Sequence, residues 1–175
     1  MVDEYQTIVG TSQGTYSELR SKFLGFAHHV TTPEEALSLV AEYQKKYYDA
    51  RHVCWAYMLG AEREQFRSND NGEPSGTAGK PILGQINSRE LTDVIVLVVR
   101  YFGGVKLGTS GLIEAYRTTA AATLDDAQVE TRGSRHQLPL SGRNVLLEIR
   151  VGRLTCHCRH MHHQSGKAMT EVLHC

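Results

Sequence analysis

The sequence predicts an α/β fold of the α+β kind for residues 1–131, and three observations predict it. Val94–Phe102 is a β-branched, apolar run, the pattern of a strand covered on both faces. Thr32-Pro33-Glu34-Glu35 reads as a capping box with proline at the first helical position. Leu112, Tyr116, Ala120 and Leu124 recur every four residues, the apolar stripe of a second helix.

The remaining elements follow in order. Tyr5–Val9 and Ser21–Val30 read as strands joined by the turn-rich TSQGTYSE. The helix capped by Thr32 carries Ala36, Leu37, Val40, Tyr43 and Tyr47 at three- and four-residue intervals. His52–Leu59 alternates like a strand, and Gln65–Ser68 is expected to pair with it. Asn69–Lys80 is loop by composition, Pro81–Asn87 a short helix with Ile82, Leu83 and Ile86 inward, and Thr109–Ala127 the last helix of this part. Val94–Phe102 belongs in the middle of the sheet.

Composition bounds the function. The chain has 175 residues, 19 Lys and Arg against 19 Asp and Glu, 41% hydrophobic residues and 22% charged ones. That balance excludes wholesale disorder and a globally basic nucleic-acid arm. The longest apolar run, Val94–Val99, is far short of the ~18 residues needed to span a bilayer. The opening MVDEYQTIVG lacks the apolar core of a secretory signal, and Cys54, Cys156, Cys158 and Cys175 do not form a disulfide framework, so a cytoplasmic location is expected.

Two glycine-rich loops carry whatever chemistry there is; the alternative is that they are tight turns whose glycines serve only the backbone. SNDNGEPSGTAGKP (68–81) and RYFGGVKLGTSG (100–111) each feed a helix N-terminus, where free N–H groups and the helix dipole favour an anion. Lys80, Arg100 and Lys106 are placed to complete a phosphate or carboxylate site. Neither loop is a Walker A or a dinucleotide motif, since Pro81 stands where Ser or Thr is required and GGVKLG breaks the glycine spacing. Two loops flanking one central strand are expected to meet at one end of the sheet. Asp70 and Glu73 oppose an anion there; their alternatives are to hold Lys80 or an arginine, or to ligate a divalent metal. Histidine as a residue type suits acid/base work near neutral pH, so His52 is a candidate acid/base, or it is a strand-end histidine bonded to backbone. No order of nucleophile, base and orienting residue is present, so an enzyme is the less favoured reading and no cofactor is expected.

DARHVCWAYMLG, SNDNGEPSGTAGKPIL and VVRYFGGVKLGTSGLIEAY together resemble the IMPACT/YigZ family, in the same order, over about residues 15–127. The resemblance implies a sandwich like the second domain of a small-subunit ribosomal protein and domain IV of elongation factor G: one mixed sheet with helices packed on one face. It implies a translation-linked regulatory or binding protein that contacts RNA, the ribosome or a translation-factor-associated protein, because eukaryotic relatives regulate translation by competing for the activator of an initiation-factor kinase. No membrane partner is implied. On matching positions it marks Arg51, His52, Asp70, Glu73, Thr77, Gly79, Lys80, Arg100, Tyr101, Gly103, Gly104 and Gly108 as candidate ligand-contacting residues; Lys106 and Thr109 join them from the second loop. The alternative is a small phosphate-handling enzyme using the same cleft, with His52 or Asp70 as acid/base.

Residues 132–175 depart from this pattern. Bacterial relatives are expected to continue into a ferredoxin-like domain. Here the segment carries net charge +5 against −5 for residues 1–131, with six of nine His, three of four Cys and no aromatic residue. Val145–Val151 is its one plausible strand. A frameshifted or remnant second domain is expected. A divergent short domain is one alternative. Another is a zinc site from Cys156, Cys158, His160, His162 and His163, whose cysteines are closer than structural zinc pairs usually are.

Overall fold

The computed structural model describes residues 4–133 and the backbone of 150–151 and 154–155. Strands β1 (Glu4–Val9), β2 (Thr11–Glu18) and β3 (Ser21–His29) lead into helix α1 (Pro33–Lys46). Strands β4 (His52–Leu59) and β5 (Gln65–Asn69) precede helix α2 (Gly79–Ser88). Strand β6 (Val94–Tyr101), helix α3 (Gly108–Asp125) and strand β7 (Gln128–Gly133) complete this unit. Separately, β8 (Arg150–Val151) pairs antiparallel with β9 (Leu154–Thr155). The other expectations for 132–175, the frameshifted or remnant domain, most of the Val145–Val151 strand and the zinc ligands, lie outside the described residues.

The main sheet has five strands in the order β2-β3-β6-β4-β5. The α+β sandwich stands, with β6 at its centre as its apolar sequence requires. Two features differ from expectation. Every pair in this sheet is antiparallel, and a parallel contact appears at the isolated bridge Gln6–Leu91. Helices also cover both faces rather than one. Side chains alternate along a strand. Val94, Val96 and Val98 therefore pack with Ile82, Ile86, Leu112, Tyr116 and Leu124 of α2 and α3. Ile95, Leu97 and Val99 pack with Ala36, Val40 and Tyr43 of α1 on the other side. A strand apolar at every position demands two covers, and α1 is the second.

Local chemistry sets the helix starts. Thr32 Oγ1 accepts from the Glu35 N–H at 3.2 Å, while the Glu35 carboxylate reaches one residue further back and accepts from the Thr31 N–H at 2.9 Å. The box thus closes on Thr31 rather than Thr32.

TSQGTYSE is strand β2, not a turn. It pairs residue for residue with β3, and the reversal is the two-residue step Leu19-Arg20, with φ of 44° and 65°. Such paired positive φ values match the twist of a hairpin. The polar, glycine-containing sequence serves close packing: Gly14 and Gly25 are cross-strand partners, and a Cβ on Gly14 would stand 2.5 Å from the Thr123 backbone N. Ser12 donates to the Thr123 carbonyl at 2.8 Å, so α3 lies almost on the backbone of β2. The chain then closes on itself, with β7 pairing along all of β1, from Glu4–Gly133 to Val9–Gln128.

Candidate functional site

Sheet register sets out the site. Phe23 of β3, Arg100 of β6 and His52 of β4 are direct partners across three strands. They form one row at the end of the sheet, on the face covered by α2 and α3. Both glycine loops leave the sheet at this end.

A cavity of about 390 Å³ opens there, lined by Arg51 and His52 at the start of β4, Glu73 and Pro74 of the first loop, Arg100 and Phe102 at the end of β6, and Lys106, Leu107, Gly108, Thr109 and Leu112 where α3 begins. A buried polar cluster holds its base. Glu73 accepts a hydrogen bond from Arg100 Nη1 and another from the Tyr116 hydroxyl at 2.9 Å, and its Oε1 lies 3.8 Å from His52 Nε2. The Glu73 and Arg100 side chains are only 3% and 7% exposed, so the charge pair is desolvated and each charge depends on the other. The Arg100 guanidinium lies between Phe23 and Phe102, 5.5 and 5.6 Å from the ring centroids. Of its five N–H groups one is spent on Glu73, and its Nε is buried with no partner among the described residues.

His52 has a defined tautomer. Its Nδ1 is 2.8 Å from the Asn71 carbonyl, which only accepts, so Nδ1 carries the proton. In the neutral ring, Nε2 is then the unprotonated nitrogen. Cys54, one turn of the pleat along, lies beneath. Its Sγ is 3.0 Å from the Asp70 carbonyl and 3.3 Å from the Tyr116 hydroxyl. Burial pushes its thiol up to about 12. Burial, followed by Cys54 and Glu73, also pushes the Tyr116 phenol upward. Both stay neutral and serve as struts, not nucleophiles.

The candidate residues divide into groups. Arg51, His52, Glu73, Arg100, Lys106, Gly108 and Thr109 meet at the cavity. Asp70 does not. Its carboxylate turns inward and accepts from the N–H groups of Gly76 (2.8 Å), Ala78 (3.0 Å) and Gly79 (2.8 Å). Burial alone would raise its carboxyl, but these donors and nearby Lys80 outweigh it and hold the group below the usual range. The anion expected at the start of α2 is thus the protein's own side chain, which removes Asp70 and Gly79 from the open site. Thr77 is buried and donates to the Pro74 carbonyl at 2.7 Å, and Lys80 is exposed and folds against Gly76, off the cavity lining. Tyr101 donates to Asp49 at 3.1 Å. Gly103 lies against the Leu19-Arg20 turn, where a Cβ would stand 2.0 Å from the Arg20 carbonyl carbon. Gly104 turns the chain with φ of 88°.

Two features of the site, one at the cavity lining and one in the buried cluster, lie outside the candidate residues. Phe102 is an aromatic residue past the end of a strand and 47% exposed, a signal that a glycine loop presents a ring to solvent. Tyr116 reads as part of the apolar stripe of α3, but its hydroxyl donates to Glu73. Among the described residues no group of three or more His, Cys, Asp or Glu is arranged to hold a metal ion. No helix among them is long and apolar enough to cross a membrane.

Fold and site together define an α+β sandwich with a cation-lined cavity at the open end of its sheet. The Impact N-terminal domain model matches residues 19–124. IMPACT family member YvyE of Bacillus subtilis is 36% identical over 132 residues, covering 75% of this chain and 61% of the relative. IMPACT family member YigZ of Escherichia coli is 40% identical over 99 residues, covering 55% of this chain and 48% of the relative. The crystal structure of a hypothetical protein superposes with a TM-score of 0.73 at 30% identity, covering 76% of this chain and 66% of the other. The chain belongs to the IMPACT family, and it spans 61% and 48% of the length of these two curated relatives.

Proposed function

We propose that this chain is a translation-linked regulatory binding protein, residues 1–131 being its binding module, which engages RNA, the ribosome or a translation-factor-associated protein through the cavity face. Membership of the IMPACT family supports the link to translation. The observation that carries the binding role is the meeting of Arg51, Lys106 and the uncapped start of α3 at one opening above a base that holds no activated nucleophile. A cytoplasmic location goes with this reading. Cosedimentation with ribosomes and titration with single-stranded RNA across a salt series test it. Binding is expected to fall steeply with salt as counterions are released, and to weaken in Arg51→Gln. A flat salt response removes the nucleic-acid form, leaving a protein partner.

One observation favours the second reading, a phosphate-handling enzyme. His52, which lines the cavity, donates through Nδ1 to Asn71 and so leaves Nε2 unprotonated in the neutral ring, the state a general base needs. Asp70, committed to three backbone N–H groups, no longer shares that role. Generic phosphoesters offered to the wild type and to His52→Ala decide it, since no turnover in either ends the enzyme reading.

A further inference from the structure

The cavity carries more than a general preference for negative charge. Arg51, Arg100 and Lys106 line it against Glu73 alone, an excess of two positive charges. The 18-residue helix α3 adds its positive end, with no side-chain cap among the described residues and no acidic residue in its first turn. Arg100 is 5% exposed, yet uses one donor on Glu73 and leaves Nε unsatisfied. An unpaired buried donor of this kind is costly and marks a group placed for something besides packing. The excess matches about two negative charges, the charge of a phosphate monoester near neutral pH and more than a carboxylate or an internal phosphodiester carries. Beside the cations the cavity is apolar: Pro74, Leu107 and Leu112 form a wall, and Phe102 stands at the rim. The Arg100 guanidinium lies over the Phe102 ring, 5.6 Å from its centroid, and Phe102 as a residue remains 47% exposed. A planar ring set against it would continue the stack Phe23, Arg100, Phe102. At about 390 Å³ the cavity is in the range of small-ligand sites and admits one nucleotide, not a duplex.

We infer that this cavity is a nucleotide phosphomonoester site, in which the phosphate sits at the first turn of α3 between Lys106 and Arg51 and the base stacks on Phe102. The inference rests on the binding reading above and narrows it: the cavity takes the phosphorylated end of a single strand, or a free mononucleotide of the same chemistry. Internal phosphodiesters do not fill it, because each carries half the charge and continues into chain on both sides.

Calorimetric titration of the full chain tests this with four probes: inorganic phosphate, adenosine monophosphate, and a short oligoadenylate with either a phosphate or a hydroxyl at its first nucleotide. The phosphorylated oligonucleotide is expected to bind about tenfold more tightly than the hydroxyl form, as charge-assisted contacts require. Lys106→Gln, at an exposed position, is expected to weaken every phosphate-bearing probe by roughly fivefold. Phe102→Leu is expected to weaken adenosine monophosphate by roughly tenfold, as loss of a stacked base implies, and to leave inorganic phosphate unchanged. Thermal melts of both variants verify that they fold. Mononucleotide binding without oligonucleotide binding supports the inference with the free nucleotide as ligand and counts against the RNA reading. Equal binding of the two oligonucleotides, with steep salt dependence, overturns the inference and leaves the RNA reading standing. Failure of all four probes overturns the inference, and the ribosome experiment then judges the wider reading by itself.

Discussion

Helices α2 and α3 lie on the same face of the sheet, and each begins behind a glycine-rich loop, yet they begin differently. At α2, Asp70 reaches six to nine residues along the chain to take the N–H groups of Gly76, Ala78 and Gly79, and the positive end of the helix is already neutralised. At α3 the residue before the helix is Leu107, which makes no side-chain cap; no side chain among the described residues caps this helix, and the opening faces the cavity. Glycine content and helix dipole are common to both. What separates an occupied anion site from an open one is whether the loop contains a carboxylate able to reach back. Glu73, the other acid of the first loop, shares the cavity with the start of α3 but is spent on Arg100 and Tyr116.

Breaking this division of labour is expected to cost most at Glu73. Glu73→Ala strands the Arg100 charge in a desolvated site and should lower stability by about 3–5 kcal/mol; a urea unfolding midpoint reads it. Asp70→Ala leaves three N–H groups without their acceptor and should cost about 2 kcal/mol. That loss depends on pH. The Asp70 carboxyl titrates below its ordinary 3.8 when folded, so the unfolded chain takes up the proton first. Its stabilisation is complete above 3.8 and disappears as the pH falls through the folded value, so wild type and Asp70→Ala should converge in acid.

A chemical probe sharpens the comparison. Cys54 contacts the Asp70 carbonyl, and burial holds its thiol near 12. Alkylation at mild alkaline pH, followed by mass spectrometry of the Cys54 peptide, should therefore report opening of the first loop, with Asp70→Ala accelerating it by about tenfold. The smallest effect is expected from giving α3 what α2 has. Thr109→Asp places a carboxylate in its exposed first turn beside Lys106 and should raise stability by about 0.5 kcal/mol in a thermal melt.

How much of this was legible in the sequence varies with the kind of force involved. Apolar periodicity revealed β6, α1 and the buried face of α3, because burial repeats along the chain. It missed β2, whose inward face runs from the buried Ser12 through a half-buried Gly14 close against Thr123 to a half-buried Tyr16, so that one aromatic residue is all the apolar signal it offers. It missed β7, a polar ribbon with no stripe to detect. The one-faced helix layer implied by the resemblance conflicts with β6, whose apolar residues on both faces require the second cover that α1 supplies. At the site, the meeting of the two loops followed from their flanking one strand. The fate of Asp70 did not, because its partners lie beyond the three-residue reach of ordinary capping signals. The clasp of Glu73 on Tyr116 joins residues 43 apart, a distance that only the fold closes.

The ribbon formed by β1 and β7 has a consequence for how this unit can be handled. Glu4 and Gly133 are direct partners, so the chain enters and leaves the body at a single doorway. Antiparallel partners lie about 5 Å apart, a gap that a short peptide bridges. Residues 4–133 are thus ready for circular permutation, or for splicing into a surface loop of a host protein without prising that loop apart.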